Sequence, residues 1–140
     1  MNKFSAHGDF RLWINNQTLC AELFGVWNKQ AAQQFSLHFK QLGTKFSGEW
    51  AHIVYLNDWE LCTEDVFKVI EELVEWSINN GLVRAANVYT PSTMKSIFIN
   101  TMVVEEKGMF KRAVFDNKSD AKKWLEAEGY PLNQSEKTSR

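Results

Sequence analysis

The sequence predicts an α/β fold, in which an N-terminal β-hairpin leads into alternating helices and strands. Three observations predict it. Two neighbouring segments near the N-terminus alternate apolar and polar residues, a later segment is almost wholly apolar, and the intervening stretches repeat apolar residues every three or four positions. The expected order is ββαβαβαβα, a mixed sheet of four to five strands with about four helices and right-handed crossovers.

The N-terminal hairpin is predicted over residues 10–14 and 17–24, where apolar and polar side chains alternate. Asn15 and Asn16 lie between the two strands. Asparagine adopts a positive φ more readily than most residues do, and a two-residue hairpin loop requires that conformation. We therefore expect the turn at Asn15-Asn16.

A helix and a buried strand follow the hairpin. Apolar residues recur at spacings of three and four over 27–42, which predicts an amphipathic helix that ends at Gly43. Residues 49–56 are too apolar for a strand with one face in water. We expect them to form the central strand, covered by helices on both faces.

The second helix is predicted over 66–78 by its boundary residues as well as by its apolar positions. Thr63 is a favourable N-cap, and Glu64 and Asp65 place negative charge at the positive end of the helix dipole. The Asn-Asn-Gly sequence at 79–81 is typical of a helix end, so we expect the helix to stop there.

A strand over 83–89 leads into a third predicted helix. Thr90-Pro91 favours a helix start, because proline at the first helical position lacks only an N–H that has no partner there anyway. The apolar stripe of this helix comprises Met94, Ile97, Phe98, Thr101 and Met102.

The C-terminal part completes the expected order. A last strand is predicted over 109–115 and a last helix over 117–125, with Gly129 as the terminating residue. One domain is therefore expected over 1–132. Residues 133–140 are polar and are predicted to form a flexible tail.

Composition limits the class of molecule. The 140 residues are 44% hydrophobic and 24% charged, which fits one globular domain. The net charge is −1 and basic residues do not cluster, so no nucleic acid partner is expected. The N-terminal residues lack the apolar core of a signal peptide, and no segment is apolar enough to span a bilayer. We expect a cytoplasmic protein in which Cys20 and Cys62 are reduced.

Three passages of the sequence resemble a known family. The central strand ends in Leu-Asn-Asp-Trp at 56–59, residues 79–89 read NNGLVRAANVY, and residues 112–130 read RAVFDNKSDAKKWLEAEGY. This layout is similar to the SpoIIAA-like branch of the STAS superfamily over most of residues 8–130. The last passage, where a strand ending in Phe-Asp leads into a helix, is the most telling of the three.

The resemblance implies a non-enzymatic module. STAS-like domains act as partner-binding switches, and the related CRAL-TRIO fold holds lipids or other hydrophobic molecules. The switch version implies a phosphorylatable Ser or Thr after the central strand, in an Asp-Ser-Ser-Gly-like context. The matching residues 58–65 offer a hydroxyl at Thr63 without that Ser or Gly, and Glu64 and Asp65 would repel a phosphate. We interpret Thr63 first as an N-cap and second as a phosphorylation site.

The ligand-binding alternative has its own candidate residues. Open α/β sheets bind ligands at the carboxyl ends of their strands, which places Trp59 and Thr90 at a candidate cleft. Lys95 and the helix starts at Thr63 and Thr90 would suit an acidic head group. The apolar wall would come from a stripe that also fits ordinary core packing, namely Met94, Ile97, Phe98 and Met102.

The sequence shows no catalytic constellation. His7, His38 and His52 have no HxxxH or HExxH spacing, and the acidic surroundings of Cys62 oppose a thiolate. We therefore expect no catalytic residue, no cofactor and no metal.

The leading hypothesis is a STAS-like module that binds a small apolar, amphipathic or lipid-like ligand. A protein-partner switch is the alternative and a small enzyme the second alternative. Peripheral membrane contact and a homodimer are further expectations.

Overall fold

The computed structural model describes residues 8–60, 63–90 and 105–133, and these form a mixed sheet with helices on both faces. The six strands of the described residues lie in the order β1-β2-β3-β4-β6-β5. Their bounds and those of the helices are β1 Asp9–Asn15, β2 Thr18–Phe24, α1 Lys29–Gly43, β3 Trp50–Tyr55, α2 Glu64–Asn79, β4 Leu82–Val88, β5 Glu106–Lys107, β6 Phe110–Phe115 and α3 Lys118–Ala127.

The predicted hairpin is present, but its turn lies one residue later than expected. Asn15 pairs with Thr18, so the loop consists of Asn16 and Gln17, and Asn16 has the positive φ of 54°. Asn15 stays in the strand because its side chain is bonded to the distant C-terminal segment. Its Nδ2 donates to the Asn133 carbonyl at 3.2 Å, and its Oδ1 accepts from the Asn133 N–H at 2.8 Å.

Four neighbouring strands, β2, β3, β4 and β6, run parallel to one another. Parallel sheets are covered on both faces, so their strands carry apolar side chains in both directions. The central strand β3 shows this pattern, because Trp50 and Val54 face one cluster of the core while Ala51 and Ile53 face the other. The prediction of a central strand buried on both faces is therefore confirmed.

The first face of the sheet is covered by α1 and α2 and holds most of the large aromatic residues. Phe35 of α1 contacts Trp27 and Phe10 with ring centroids 5.2 Å apart in each case. Phe39, one turn further along α1, contacts Phe35 at 5.6 Å and Trp50 at 6.0 Å. Large rings supply much of the burial available to a small domain.

The second face of the sheet is covered by α3 and is built from smaller side chains. Ala51 and Ala86 on the strands and Ala121 on the helix are all fully buried. Alanine lets the backbones of helix and sheet approach closely, so Leu125 is completely buried in the same cluster.

One difference from the predicted order concerns the region before β6. The described residues form a sheet of six strands rather than four to five, because the two residues of β5 pair antiparallel with β6 at the sheet edge. A two-residue strand is too short to show any period in the sequence. The third predicted helix, which opens at Thr90-Pro91, lies outside the described residues except for Thr90. No helix among the described residues is long and apolar enough to cross a membrane.

Gly81 joins α2 to β4 at a point where a side chain has no room. Its φ is +107°, and a Cβ there would lie 2.8 Å from the Gly48 carbonyl oxygen and 3.0 Å from the Trp50 ring. Trp50 is fixed in this position because its Nε1 donates to the Asn80 carbonyl at 2.8 Å. The junction therefore requires glycine for both conformation and space.

We expect Gly81→Ala to lower the free energy of unfolding by about 1–3 kcal/mol more than Gly129→Ala does. Gly129 is the matched control, because its φ is +102° but its Cβ would meet no atom within 4 Å. Urea unfolding followed by circular dichroism measures both losses. Equal losses in the two variants would show that the contact with Trp50 carries no energetic penalty.

Candidate ligand cavity

A row of three residues crosses the middle of the sheet on its first face. His52 of β3 is in register with Ala85 of β4, and Ala85 is in register with Arg112 of β6. Neighbouring strands lie about 4.8 Å apart, so His52 and Arg112 stand roughly 10 Å apart with only a methyl group between them. The small residue leaves a gap between two large side chains.

A cavity of about 80 Å³ lies on this face between the sheet and helices α1 and α2. Its lining is predominantly apolar and includes residues of β2, β3, β4, β6 and both helices. The lining residues are Leu23, Phe35, Phe39, His52, Val54, Leu56, Trp59, Ile70, Leu73, Val74, Ser77, Leu82, Ala85, Asn87 and Phe110.

Trp59, the first of the predicted ligand-binding residues, lines this cavity and is only 3% exposed. Its ring packs edge-on against Trp27 with centroids 5.5 Å apart. The flanking backbone is fixed to the end of β2, because the Gly25 N–H donates to the Asp58 carbonyl at 2.9 Å and the Gly25 carbonyl accepts from the Glu60 N–H at 3.0 Å. The loop after β3 therefore holds Trp59 in the wall of the core.

His52 supplies a polar atom to the cavity wall. Its Nδ1 lies 2.7 Å from the Leu19 carbonyl oxygen, and because a carbonyl only accepts, the proton is on Nδ1. Burial lowers the pKa of His52 to about 4, although the bond to Leu19 opposes the shift. The ring is thus neutral at pH 7, with Nε2 as its acceptor.

Asn87 and Arg112 form a second polar feature beside the cavity. Asn87 lines the cavity, and its Oδ1 accepts a hydrogen bond of 2.9 Å from Arg112 Nη1. The Arg112 side chain is only 1% exposed, and burial lowers its pKa while Glu105 and Tyr89 raise it. Arginine nevertheless stays protonated in proteins, so a positive charge is buried one hydrogen bond from the cavity.

The other predicted site residues lie elsewhere or outside the described part of the chain. Thr90 is exposed, and its N–H donates to Asn57 Oδ1 at 2.7 Å, which ties the loop after β4 to the loop after β3. Thr63 is the exposed N-cap residue of α2; its side chain caps no helix N–H, and its hydroxyl donates to the Asp65 carboxylate instead. The candidates outside the described residues are Met94, Lys95, Ile97, Phe98 and Met102.

Sequence reasoning did not single out His52, Ala85 and Arg112 as one group. Their proximity depends on the register of three strands that are far apart in the chain. A histidine in an apolar strand was a visible signal, but an alanine beneath a cavity has no sequence signature.

A second, polar cleft of about 220 Å³ lies at the carboxyl ends of β2 and β3, and its described lining includes neither Trp59 nor Thr90, which mark the predicted cleft. Tyr55 and Lys118 line it, with the Lys118 ammonium 5.5 Å from the Tyr55 ring centroid. Glu22 and Asp58 also border the cleft. Water screens the charged side chains of this cleft, so the predominantly apolar cavity on the first face is the stronger candidate.

Comparison with known proteins identifies the fold. The chain is similar to the anti-sigma factor antagonist SpoIIAA in its unphosphorylated form, with a TM-score of 0.57 and 14% identity over 86% of this chain and 99% of that one. It is also similar to a DUF3478-family protein with a SpoIIAA-like fold from Shewanella loihica PV-4, with a TM-score of 0.63 and 12% identity over 89% and 98% of the two chains. No family model and no curated protein matches the sequence. The chain has the SpoIIAA-like fold that the resemblance predicted.

The pKa of His52 predicts a pH-dependent stability. The unfolded chain takes up a proton near pH 6.5, whereas the folded protein does so only near pH 4. The contribution of neutral His52 to the free energy of unfolding is fully present above pH 6.5, falls as the pH is lowered and is lost by about pH 4. A shift of this size corresponds to about 3 kcal/mol.

Urea unfolding between pH 7 and 4 should therefore show a shallower decline of stability for His52→Gln than for the wild type. His38→Gln is the matched control, because His38 is exposed on α1. Protonation of carboxylates lowers the free energy of unfolding equally in the wild type and both variants, so this effect cancels in the comparison. An unchanged slope in His52→Gln would contradict the assigned neutral state.

Proposed function

We propose that this chain is a non-enzymatic, cytoplasmic binding module that holds a small apolar or amphipathic ligand in the cavity above Ala85. The cavity itself is the observation that carries the proposal. Protein cores are closely packed, and an apolar pocket that is left uncovered costs stability unless a molecule occupies it. A mostly apolar lining with a few polar groups is the usual composition of a small-molecule site.

The volume of the cavity sets the size of the ligand. About 80 Å³ is available, and a single water needs roughly 10–15 Å³ of such space. The cavity therefore has room for several water-sized groups, which corresponds to a short alkyl chain or one small ring. A long acyl chain would have to extend beyond it.

The surroundings of His52 favour binding over catalysis. A general-base histidine is usually oriented by a carboxylate, which stabilises the imidazolium that forms when the base takes a proton. The Nδ1 of His52 donates to the Leu19 carbonyl instead, and the low pKa of the ring makes it a weak base at neutral pH. A neutral histidine in an apolar wall suits recognition of an uncharged part of a ligand.

A protein-partner switch is the second candidate function. It is supported by the likeness to an anti-sigma factor antagonist over 86% of the chain and by the exposure of Thr63 at the start of α2. Against phosphorylation of Thr63 stands the Asp65 carboxylate, which accepts a hydrogen bond from the Thr63 hydroxyl and would repel a phosphate. Peripheral membrane contact and homodimerisation stay predictions.

We expect Ala85→Leu to abolish binding of 1-hexanol, because the larger side chain fills the space above β4. The free energy of unfolding should stay within about 1 kcal/mol of the wild-type value, since the added carbon atoms enter a cavity. Ala113→Leu is the matched control, because Ala113 lies on the opposite face of the sheet, in register with Ala86. Isothermal titration calorimetry measures the affinity of all three proteins.

Binding in the wild type and in Ala113→Leu, with none in Ala85→Leu, would support the cavity as the site. Solvent extraction of the purified wild type followed by mass spectrometry should recover a small apolar or amphipathic molecule. Absence of both hexanol binding and a co-purified molecule would overturn the proposed function.

The switch alternative makes a different prediction. A negative charge at residue 63 should change partner capture in a pull-down with Thr63→Glu by tenfold or more, roughly the effect of 1.4 kcal/mol. Thr44→Glu is the matched control, because Thr44 is also exposed and follows a helix on the same face. The cavity proposal expects equal capture by Thr63→Glu and the wild type, together with unchanged hexanol binding.

A further inference from the structure

His52 brings a hydrogen-bond acceptor to the apolar wall of the cavity. Its Nδ1 donates to the Leu19 carbonyl of the neighbouring strand β2 at 2.7 Å, so the lone pair of the neutral ring is on Nε2. Phe39 contacts the imidazole edge-on with centroids 5.0 Å apart and has no polar atom to offer. No described residue donates a hydrogen bond to Nε2. A bound group that donates to this nitrogen would therefore gain a hydrogen bond in an apolar setting.

Asn87 brings a hydrogen-bond donor to the same wall. Its Oδ1 accepts from Arg112 Nη1 at 2.9 Å, and because a guanidinium only donates, this bond fixes which way the amide is turned. Nδ2 is thereby directed away from Arg112, and it forms no hydrogen bond within the described part of the chain. Asn87 lies two residues beyond Ala85, the register partner of His52, so Asn87 and His52 stand roughly 8 Å apart on the sheet.

The lining of the cavity offers no partner for an ion. Among the described residues that form it, none carries a charge at pH 7, because burial keeps His52 neutral. Arg112 is not part of the lining, and its guanidinium already bonds Asn87 and lies 3.9 Å from the Glu105 carboxylate. A charged ligand would lose its hydration in the cavity without gaining an opposite charge.

We infer that the ligand is a small uncharged molecule with an apolar body and a hydroxyl group, and that this hydroxyl donates a hydrogen bond to His52 Nε2. A hydroxyl both donates and accepts, so its oxygen suits the amide N–H groups of Asn87 as well. The apolar body lies among side chains such as Phe39 and Leu73. The inference rests on the proposed function and adds the chemical class of the ligand.

Isothermal titration calorimetry at pH 7 with 1-hexanol and methyl pentyl ether tests this inference on the full chain. The two compounds are isomers of equal size, and only the alcohol has an O–H donor. We expect the wild type to bind hexanol about 10-fold more tightly than the ether, because the ether leaves Nε2 without a donor. Hexanoate and hexylammonium, which are charged, should both bind more weakly than hexanol.

Two substitutions assign the preference for the alcohol to His52. His52→Phe replaces the imidazole with an apolar ring and should bind hexanol and the ether equally. His38→Phe is the matched control and should keep the wild-type preference, because His38 is exposed on α1. Circular dichroism establishes that each variant is folded.

Nitrogen NMR of the wild type with isotope-labelled histidine gives a readout that needs no substitution. Accepting a hydrogen bond moves the resonance of an unprotonated imidazole nitrogen upfield. Hexanol should therefore shift the Nε2 resonance of His52, and the ether should leave it nearly unchanged. If His52→Phe does not fold, this measurement decides the role of His52.

The outcomes distinguish the inference from the function on which it rests. Equal binding of hexanol and the ether by the wild type, or an Nε2 resonance that hexanol does not move, overturns hydroxyl recognition and leaves the apolar cavity as a site. A preference that survives in folded His52→Phe, or that His38→Phe also loses, overturns the assignment to His52. Tighter binding of either charged compound than of hexanol overturns the uncharged class. Binding of none of the four compounds overturns the proposed function together with the inference.

Discussion

Four parallel strands that must be covered on both faces are the constraint on which the rest of the structure depends. The two faces meet this constraint differently. On the α3 side, small residues such as Ala86 let Leu125 approach the sheet, and both residues are completely buried. On the α1 and α2 side, rings such as Phe39 and Trp59 line the space between helices and sheet, and Ala85 lies at the floor of a cavity. Alanine therefore allows close packing on one face of the sheet and leaves room for a cavity on the other.

Three polar side chains lie in or beside the wall of this cavity, and they differ in charge. His52 is neutral because burial disfavours its protonated form, whereas Arg112 remains charged despite a similar position. Asn87 links the guanidinium to the cavity wall. An apolar space with a neutral histidine in its wall suits a small apolar or amphipathic molecule, in line with the proposed function.

Local patterns predicted the three described helices and the strands of six or more residues in their order, because each of these segments has a recognisable apolar pattern. Interactions between distant segments explain what the patterns missed. Asn15 stays in β1 because it bonds to Asn133, and the two residues of β5 become a strand only by pairing with β6. Trp59 was recognisable from its place after the central strand, whereas the row from His52 to Arg112 depends on strand register. Register is a property of the folded sheet rather than of any single segment.

Methyl NMR of the wild type labelled at alanine tests the central claim most directly, because the two faces of β4 carry adjacent alanines. Ala85 lies in the cavity and Ala86 faces α3. Titration with 1-hexanol should shift the Ala85 methyl resonance progressively to saturation and leave that of Ala86 nearly unchanged. An Ala85 resonance that does not move, or equal shifts of both methyl groups, would contradict a ligand site on this face of the sheet.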